Sequence, residues 1–163
     1  MNIKLNKITK KDYYFVYKLR NSKSVRQNSL EPKVIKYPDH LEWVRKFIAK
    51  KNIFLIIKTK NIKIGYIRID KKFKKKFVSI ALVKKYRGKG LGKKVLLLVE
   101  RFIFSKYLYS IVLKNNLWSI ALFQSVDYNI LKFNKNYFLM KKKINSSLKK
   151  TNSIKKIIIK NND

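Results

Sequence analysis

The chain has 163 residues, enough for one domain with a proper core, and 46% hydrophobic with 13% aromatic residues excludes a disordered polymer. It has no cysteine and a single histidine, His40, which excludes disulfides, thiolate metal sites and a histidine metal cluster, so no metal is expected. Lysine and arginine number 42 against 8 acids, a net charge of +34, so any acidic ligand or surface is attracted.

In chain order, Ile3-Lys4-Leu5 reads as a short first strand. Thr9-Lys10-Lys11-Asp12 resembles a capping box and opens a helix through Phe15 and Leu19. Arg20 to Ser29 is polar and reads as loop plus a further helical turn. Pro38 begins a second helix, in which Leu41, Val44 and Ile48 recur at helical spacing. Phe54 to Ile57 and Ile62 to Ile69 read as strands joined at Lys60-Asn61, with Gly65 marking a bulge or a close backbone approach. A charged turn, Lys71 to Lys76, precedes the strand Phe77 to Val83. A helix is expected from Lys93 to Tyr107, a fifth strand from Tyr109 to Leu113, a short helix from Asn116 to Ser125 and a hairpin from Asn129 to Met140. The basic stretch 143–163 is expected to be a tail, either helical or disordered, outside a domain of residues 1–142.

Three of the four glycines fall in Arg87-Gly88-Lys89-Gly90-Leu91-Gly92, between a strand and a helix. Glycines there let backbone N–H groups approach an anion, and the helix N-terminus adds unpaired amides and its dipole. A phosphate or pyrophosphate ligand is therefore expected. A P-loop is excluded, because the position five before Gly92 is Arg87 and Lys93 is followed by Lys94 rather than Ser or Thr. The dinucleotide fingerprint also fails, because Lys93 stands where its third glycine belongs and no acid follows near Val112.

The remaining pattern, Arg-Gly-x-Gly-x-Gly, resembles the pyrophosphate loop of the GNAT superfamily of acyl-CoA N-acyltransferases. The element order agrees. The resemblance implies an α/β fold, with a mixed, mostly antiparallel sheet flanked by helices and a pyrophosphate loop between the fourth strand and the next helix. It implies acetyl-CoA as co-substrate, held by Leu82, Val83, Arg87, Gly88, Lys89, Gly90, Leu91, Gly92 and Lys93. A backbone N–H of a bulged strand near Leu82 to Val83 would polarise the thioester carbonyl. Leu113 to Phe123 resembles the superfamily's second cofactor segment. By that resemblance Asn116 would hydrogen-bond the cofactor, Ser119 would face it and Phe123 would pack beside the thiol; Asn116 is also a natural helix cap.

Leu19-Arg20-Asn21, Val25-Arg26, Asn28-Ser29 and His40-Leu41-Glu42-Trp43 resemble one branch, the acetyltransferases of nucleotide-linked amino sugars in pseudaminic-acid-type biosynthesis. These are related to the ribosomal-protein N-terminal acetyltransferases. The acceptor so implied is a UDP-linked 4-amino sugar, with Arg20, Asn21, Arg26 and Trp43 as substrate residues and the two guanidiniums on the diphosphate. Three departures stand out. Phe123 replaces a tyrosine that protonates the leaving thiolate in many relatives, Phe77 replaces an acid, and Asp127-Tyr128 replaces a Gly-Phe pair. Few bases exist, so His40 and Glu42 are the candidates for deprotonating the amine, beside an ordered water, and Tyr128 is the nearest candidate acid.

Two rival readings remain: an N-terminal acetyltransferase acting on a ribosomal or other protein, and a basic nucleic-acid-binding module. The lysines are spread over every segment, in a chain also rich in Asn and Ile, and no nucleic-acid motif accompanies them. The charge therefore reads as composition drift, with non-specific attraction to nucleic acid as its by-product. No apolar run approaches the ~20 residues of a membrane span, and residues 1–18 lack the apolar stretch of a signal peptide. A cytoplasmic monomer or homodimer without a membrane partner is expected.

Overall fold

A computed structural model describes residues 2–144. Seven strands form one sheet in the order β1-β2-β3-β4-β5-β7-β6. They are β1 (Lys4–Lys7), β2 (Ile53–Thr59), β3 (Ile62–Lys72), β4 (Lys75–Leu82), β5 (Tyr107–Leu113), β6 (Asn129–Phe133) and β7 (Tyr137–Lys143). Every pairing is antiparallel except β4 with β5. The expected mixed, mostly antiparallel sheet is what the chain forms.

Among the described residues, five helices flank it: α1 (Tyr13–Asn21), α2 (Lys23–Arg26), α3 (Tyr37–Ala49), α4 (Leu91–Glu100) and α5 (Leu117–Gln124). Thr9 and Asp12 make the capping box, which leads into a single 3-10 turn before α1. Two hydrophobic clusters lie on opposite faces of the sheet. On one face, α1 to α3 bury Val16, Leu19, Val25, Val44 and Phe47 over Phe54, Ile56 and Tyr66. On the other, α4 buries Leu91, Val95, Leu96 and Val99 with Phe123, Tyr128 and Met140.

Several boundaries differ from the sequence expectation for local reasons. The stretch from Lys71 to Lys76 turns only at Phe73 and Lys74, both with positive φ, while Lys71–Lys76 and Lys72–Lys75 pair in the ladder. Lys60 and Asn61 likewise carry positive φ, and both hairpins match the two-residue turns that follow strand twist. The helix after the glycines ends at Glu100 rather than Tyr107, closing with i→i+3 bonds at Phe102 and Ile103. Beyond it Leu108, Ser110 and Val112 are buried at the two-residue period of a strand.

Gly65 is a close approach: a Cβ there would lie 2.3 Å from the Ala81 carbonyl oxygen. The irregular register beside it falls between Ile57 and Lys58 of β2. The expected bulge before the glycine loop is absent, because β3 and β4 pair without interruption from Gly65–Leu82 to Lys72–Lys75. At the C-terminal end, Lys143 belongs to β7, and buried Ile144 donates its N–H to the Lys106 carbonyl at 3.0 Å. The fold thus continues two residues past 142, and the rest of the expected tail, 145–163, lies outside the described residues.

Candidate active site

The parallel strands β4 and β5 pair at one position only, Phe77 with Tyr109, near the start of each. Beyond that pair no ladder pairing joins them, which leaves a gap toward the C-terminal end of β4, where the glycine loop begins. The Val83 N–H donates to the Ile64 carbonyl at 2.9 Å. Successive residues of a strand direct their backbone groups to opposite sides, so the amides of Ile80 and Leu82 point into the gap. Of the two residues expected to supply a carbonyl-polarising N–H, only Leu82 can; the Val83 amide is engaged in the sheet.

Gly88 and Gly90 both have φ of 69°, and a Cβ at either would meet nothing within 4 Å. The glycines are therefore required by backbone conformation and leave open space beside the amides of residues 88–91. Gly90 occupies the cap position of α4, whose first-turn N–H groups face the same space. Gly92 has a different reason: its Cβ would come within 3.0 Å of Leu122, so it lets α4 pack against α5. Lys89 and Lys93 stand exposed beside the loop. Arg87 is turned back, its Nε donating to the Leu82 carbonyl at 2.8 Å and its Nη2 to Ser24 Oγ at 3.1 Å. Rather than adding charge at an anion, it braces the loop against the strand end and α2.

On the far side of the gap, Asn116 caps α5 by accepting the Ser119 N–H at 3.1 Å, which leaves its side-chain NH2 for a second partner. Ser119 is half-buried. Phe123 is buried edge-on against Tyr128, with centroids 5.0 Å apart. Asp127 has φ of 64°, the left-handed position after a helix that favours glycine, which accounts for the Gly-Phe pair that the resemblance implies at this point.

The three candidate proton-transfer residues do not form a catalytic group. Tyr128 is in the core, and burial together with the Glu100 carboxylate pushes its hydroxyl's pKa up, away from use as an acid. His40 is 1% exposed and lies between Tyr17, edge-on at 5.6 Å, and Trp43, tilted at 5.7 Å. Burial, aided by Arg20, lowers its pKa to about 4, so it is neutral and a weak base at neutral pH. Glu42 is exposed and paired with Lys46 at 2.6 Å, and that partner holds its carboxyl below the usual range.

The substrate candidates lie together on the α1–α3 face, but much of their hydrogen bonding is internal. Asn21 clamps the backbone of Ile35 in both directions, at 2.8 and 3.0 Å. Arg26 donates to the carbonyls of Asn21 and Pro32 at 3.0 Å each. Arg20 donates through Nη2 to the Glu31 carbonyl. These side chains fix the segment between α2 and α3, and Arg26 in particular is a loop brace. Trp43 is part-exposed, with the Arg68 guanidinium 5.0 Å from its ring centroid. Arg68 was not among the sequence candidates. The signal was present in Tyr66-Ile67-Arg68-Ile69-Asp70, where polar and apolar residues alternate and so place Tyr66, Arg68 and Asp70 on one face.

Among the described residues no helix is long and apolar enough to cross a membrane, and no group of three His, Cys, Asp or Glu side chains could hold a metal ion. No curated protein matches the chain in sequence. Solved structures match its fold. YncA of Salmonella typhimurium, solved with acetyl-CoA, is 16% identical with a TM-score of 0.74, covering 89% of this chain and 95% of that one. The spermidine N-acetyltransferase of Vibrio cholerae, solved with CoA and spermine, is 14% identical with a TM-score of 0.74, over 87% and 95% of the two chains. The ribosomal-protein-alanine N-acetyltransferase of Brucella melitensis is 18% identical with a TM-score of 0.70, over 88% and 99%. The model of the acetyltransferase (GNAT) family matches residues 14–128. The chain therefore belongs to the GNAT acetyltransferase family, and with it to the acetyl-CoA-dependent N-acetyltransferases.

Proposed function

We propose that the chain transfers an acetyl group from acetyl-CoA to the primary amine of a nucleotide-linked amino sugar, a UDP-linked 4-amino sugar in nonulosonate biosynthesis. The observation that carries acetyl transfer is the gap between β4 and β5, with inward-facing amides at Ile80 and Leu82 and an open glycine turn at its mouth. The amides of residues 88–93 and the charges of Lys89 and Lys93 suit a pyrophosphate, and the Leu82 N–H suits the oxygen of an acyl carbonyl, where negative charge develops during transfer. Acetyl-CoA supplies the activated thioester. Asn116 and Ser119 line the β5 side, where an amide-bearing arm can pair with side-chain donors and acceptors.

The acceptor's ammonium must lose a proton before attack. With His40 enclosed and neutral and Glu42 paired on the solvent face, that proton leaves to water. Phe123 cannot protonate the departing thiolate and Tyr128 is buried, so solvent supplies that proton too. The sugar reading is supported by the sequence resemblance of the stretch from Leu19 to Trp43 and by the chain's positive field. Such a field draws in a nucleotide diphosphate and opposes polyamines and very basic peptides.

Calorimetry with acetyl-CoA, followed by an acceptor screen, tests both parts. Acetyl-CoA is expected to bind, and a UDP-linked 4-amino sugar is expected to be acetylated on its free amine. Turnover of N-terminal peptides with no nucleotide sugar accepted would replace the sugar by a protein N-terminus. Tight, sequence-selective nucleic-acid binding without acetyl-CoA affinity would remove acetyl transfer altogether.

A further inference from the structure

Helix α5 presents an apolar surface that no other element covers. Its sequence, Leu117-Trp118-Ser119-Ile120-Ala121-Leu122-Phe123-Gln124, is apolar on nearly every side, the pattern of an enclosed helix, yet only Phe123 is buried. Trp118 is 85% exposed and Leu117 beside it 70%. The other tryptophan, Trp43, has His40, Phe47, Phe54 and Arg68 around it. Among the described residues, no ring or cation lies against Trp118.

The packing of α5 on α4 fixes where that indole stands. Strands β4 and β5 are parallel, so α4 and α5, which follow them, start from the same end of the sheet. Helix α4 leads back to the start of β5, and α5 to the start of β6; both of those strand starts pair near the end of β7. The two helices therefore run in the same general direction. A Cβ on Gly92, the second residue of α4, would lie 3.0 Å from Leu122. Trp118 precedes Leu122 by four residues, so it shares that stripe of α5 and lies about 6 Å nearer the glycine loop. Helix α4 extends only one residue beyond Gly92, which leaves Trp118 level with the open turn at Gly88 and Gly90. Helical side chains lean toward their N-terminus, and this carries the indole further the same way.

A pyrophosphate on the loop amides has two ends. One continues into the gap toward the acyl group, and the other carries a nucleoside. On the opposite face of the sheet the loop is tied to α2 by Arg87 and Ser24, which closes that side. The α5 side is open. We propose that the exposed face of Trp118 is a stacking platform for the adenine ring of acetyl-CoA. This rests on the acetyl-transfer reading and deepens it by naming the residue that holds the donor's nucleoside end. Base stacking asks of the protein only an accessible aromatic face, and Trp118 offers one without partners to displace. The loop remains a backbone site; the indole adds a side-chain contact only beyond the pyrophosphate.

The probe is CoA, titrated calorimetrically into the parent and a series at position 118. Trp118→Ala should weaken CoA at least fivefold, the low end for losing one stacked base. Trp118→Phe should recover most of that loss, whereas Trp118→Leu, apolar but not flat, should not. Melting temperatures should stay unchanged across the series, because the position is exposed. In Trp43→Phe, Trp118 is the sole tryptophan, and CoA should quench its emission; if that variant fails to fold, the affinity series carries the test. Equal CoA affinity in the parent and Trp118→Ala would overturn the platform, and loss of a dimer in that variant would then assign the patch to a second copy of the chain. Equal losses in Trp118→Ala and Trp118→Phe would overturn stacking. Failure of the parent to bind CoA would sink the acetyl-transfer reading itself, whereas CoA binding that ignores position 118 would sink only the platform.

Discussion

The two sides of the β4–β5 gap are made of different material. On the donor side the groups that matter are backbone: the Leu82 amide, the left-handed turns at Gly88 and Gly90, and the first turn of α4. On the acceptor side they are side chains: Arg20, Asn21 and Arg26 grip the carbonyls of Glu31, Pro32, Asn21 and Ile35, and Arg68 lies against Trp43. A backbone site asks the sequence only for glycines where the chain must turn or approach closely. A side-chain site depends on every partner it touches, so it can be respecified by few substitutions. Donor recognition should therefore be sensitive to glycine replacements and indifferent to most others, with the reverse on the acceptor side.

The largest effect tests the foundation of the donor side. A Cβ on Gly65 would sit 2.3 Å from the Ala81 oxygen and 2.7 Å from Leu82 Cδ2, so Gly65→Ala must push β3 and β4 apart. A stability loss of about 3 kcal/mol, the upper part of the overpacking range, is expected from urea unfolding. An unchanged midpoint would show that β4 is free to move and does not fix the Leu82 amide.

Next comes the turn itself. Gly90→Val places a branched residue at φ of 69° and fills the open space beside the loop amides. Acetyl-CoA affinity should fall a hundredfold or more, about 2.7 kcal/mol. Gly90→Asn accepts the same φ at lower cost, so it should lose less. Equal losses in the two variants would mean that occupation of the space, not backbone strain, dominates. Native affinity in folded Gly90→Val would break the assignment of the loop.

An effect that reaches its full size only near pH 4, and is absent at neutral pH, probes the acceptor side. His40 is held at a pKa of about 4 against an ordinary 6.5, so the unfolded chain takes up the proton first as pH falls. Its contribution to stability should be flat above pH 6.5 and decline between 6.5 and 4, by roughly 3 kcal/mol in full. His40→Phe should remove that decline, since neither ring nitrogen has a partner to lose. The difference between the two proteins' melting temperatures across pH measures it directly. If His40→Phe instead abolished turnover while keeping fold and acetyl-CoA affinity, His40 would be the base after all.

What could be read from the sequence divides along the same line. The glycine loop, the strand before it and the helix after it were visible because glycine and strand or helix periodicity are local signals. Asn116 was visible as a cap for the same reason, and its bond to Ser119 spans three residues. Side-chain contacts between distant parts of the chain misled, most of them on the acceptor side. Arg87 reaches Ser24 across 63 positions, and Asn21 reaches Ile35 across 14, contacts that composition cannot announce. His40 was conspicuous as the lone histidine, yet its chemistry is decided by Tyr17, Trp43 and Arg20 packing around it. Arg68 was hidden in a strand whose alternation was readable but whose neighbours on α3 were not.

The smallest expected effect is also the clearest separation between a conspicuous residue and a working one. Glu42 is exposed, and its carboxylate meets Lys46 one helical turn on, an arrangement that solvent and salt screen. Its carboxyl is held below the usual range by that lysine, so through the pH range of amine acetylation it stays ionised and unchanged in charge. Glu42→Gln should therefore leave kcat and KM within twofold and leave the shape of the pH–rate profile unaltered, with the ascending limb still set by the acceptor amine. A variant whose ascending limb moved, at unchanged acetyl-CoA affinity, would place Glu42 in the proton path and break the division proposed between the two sides of the gap.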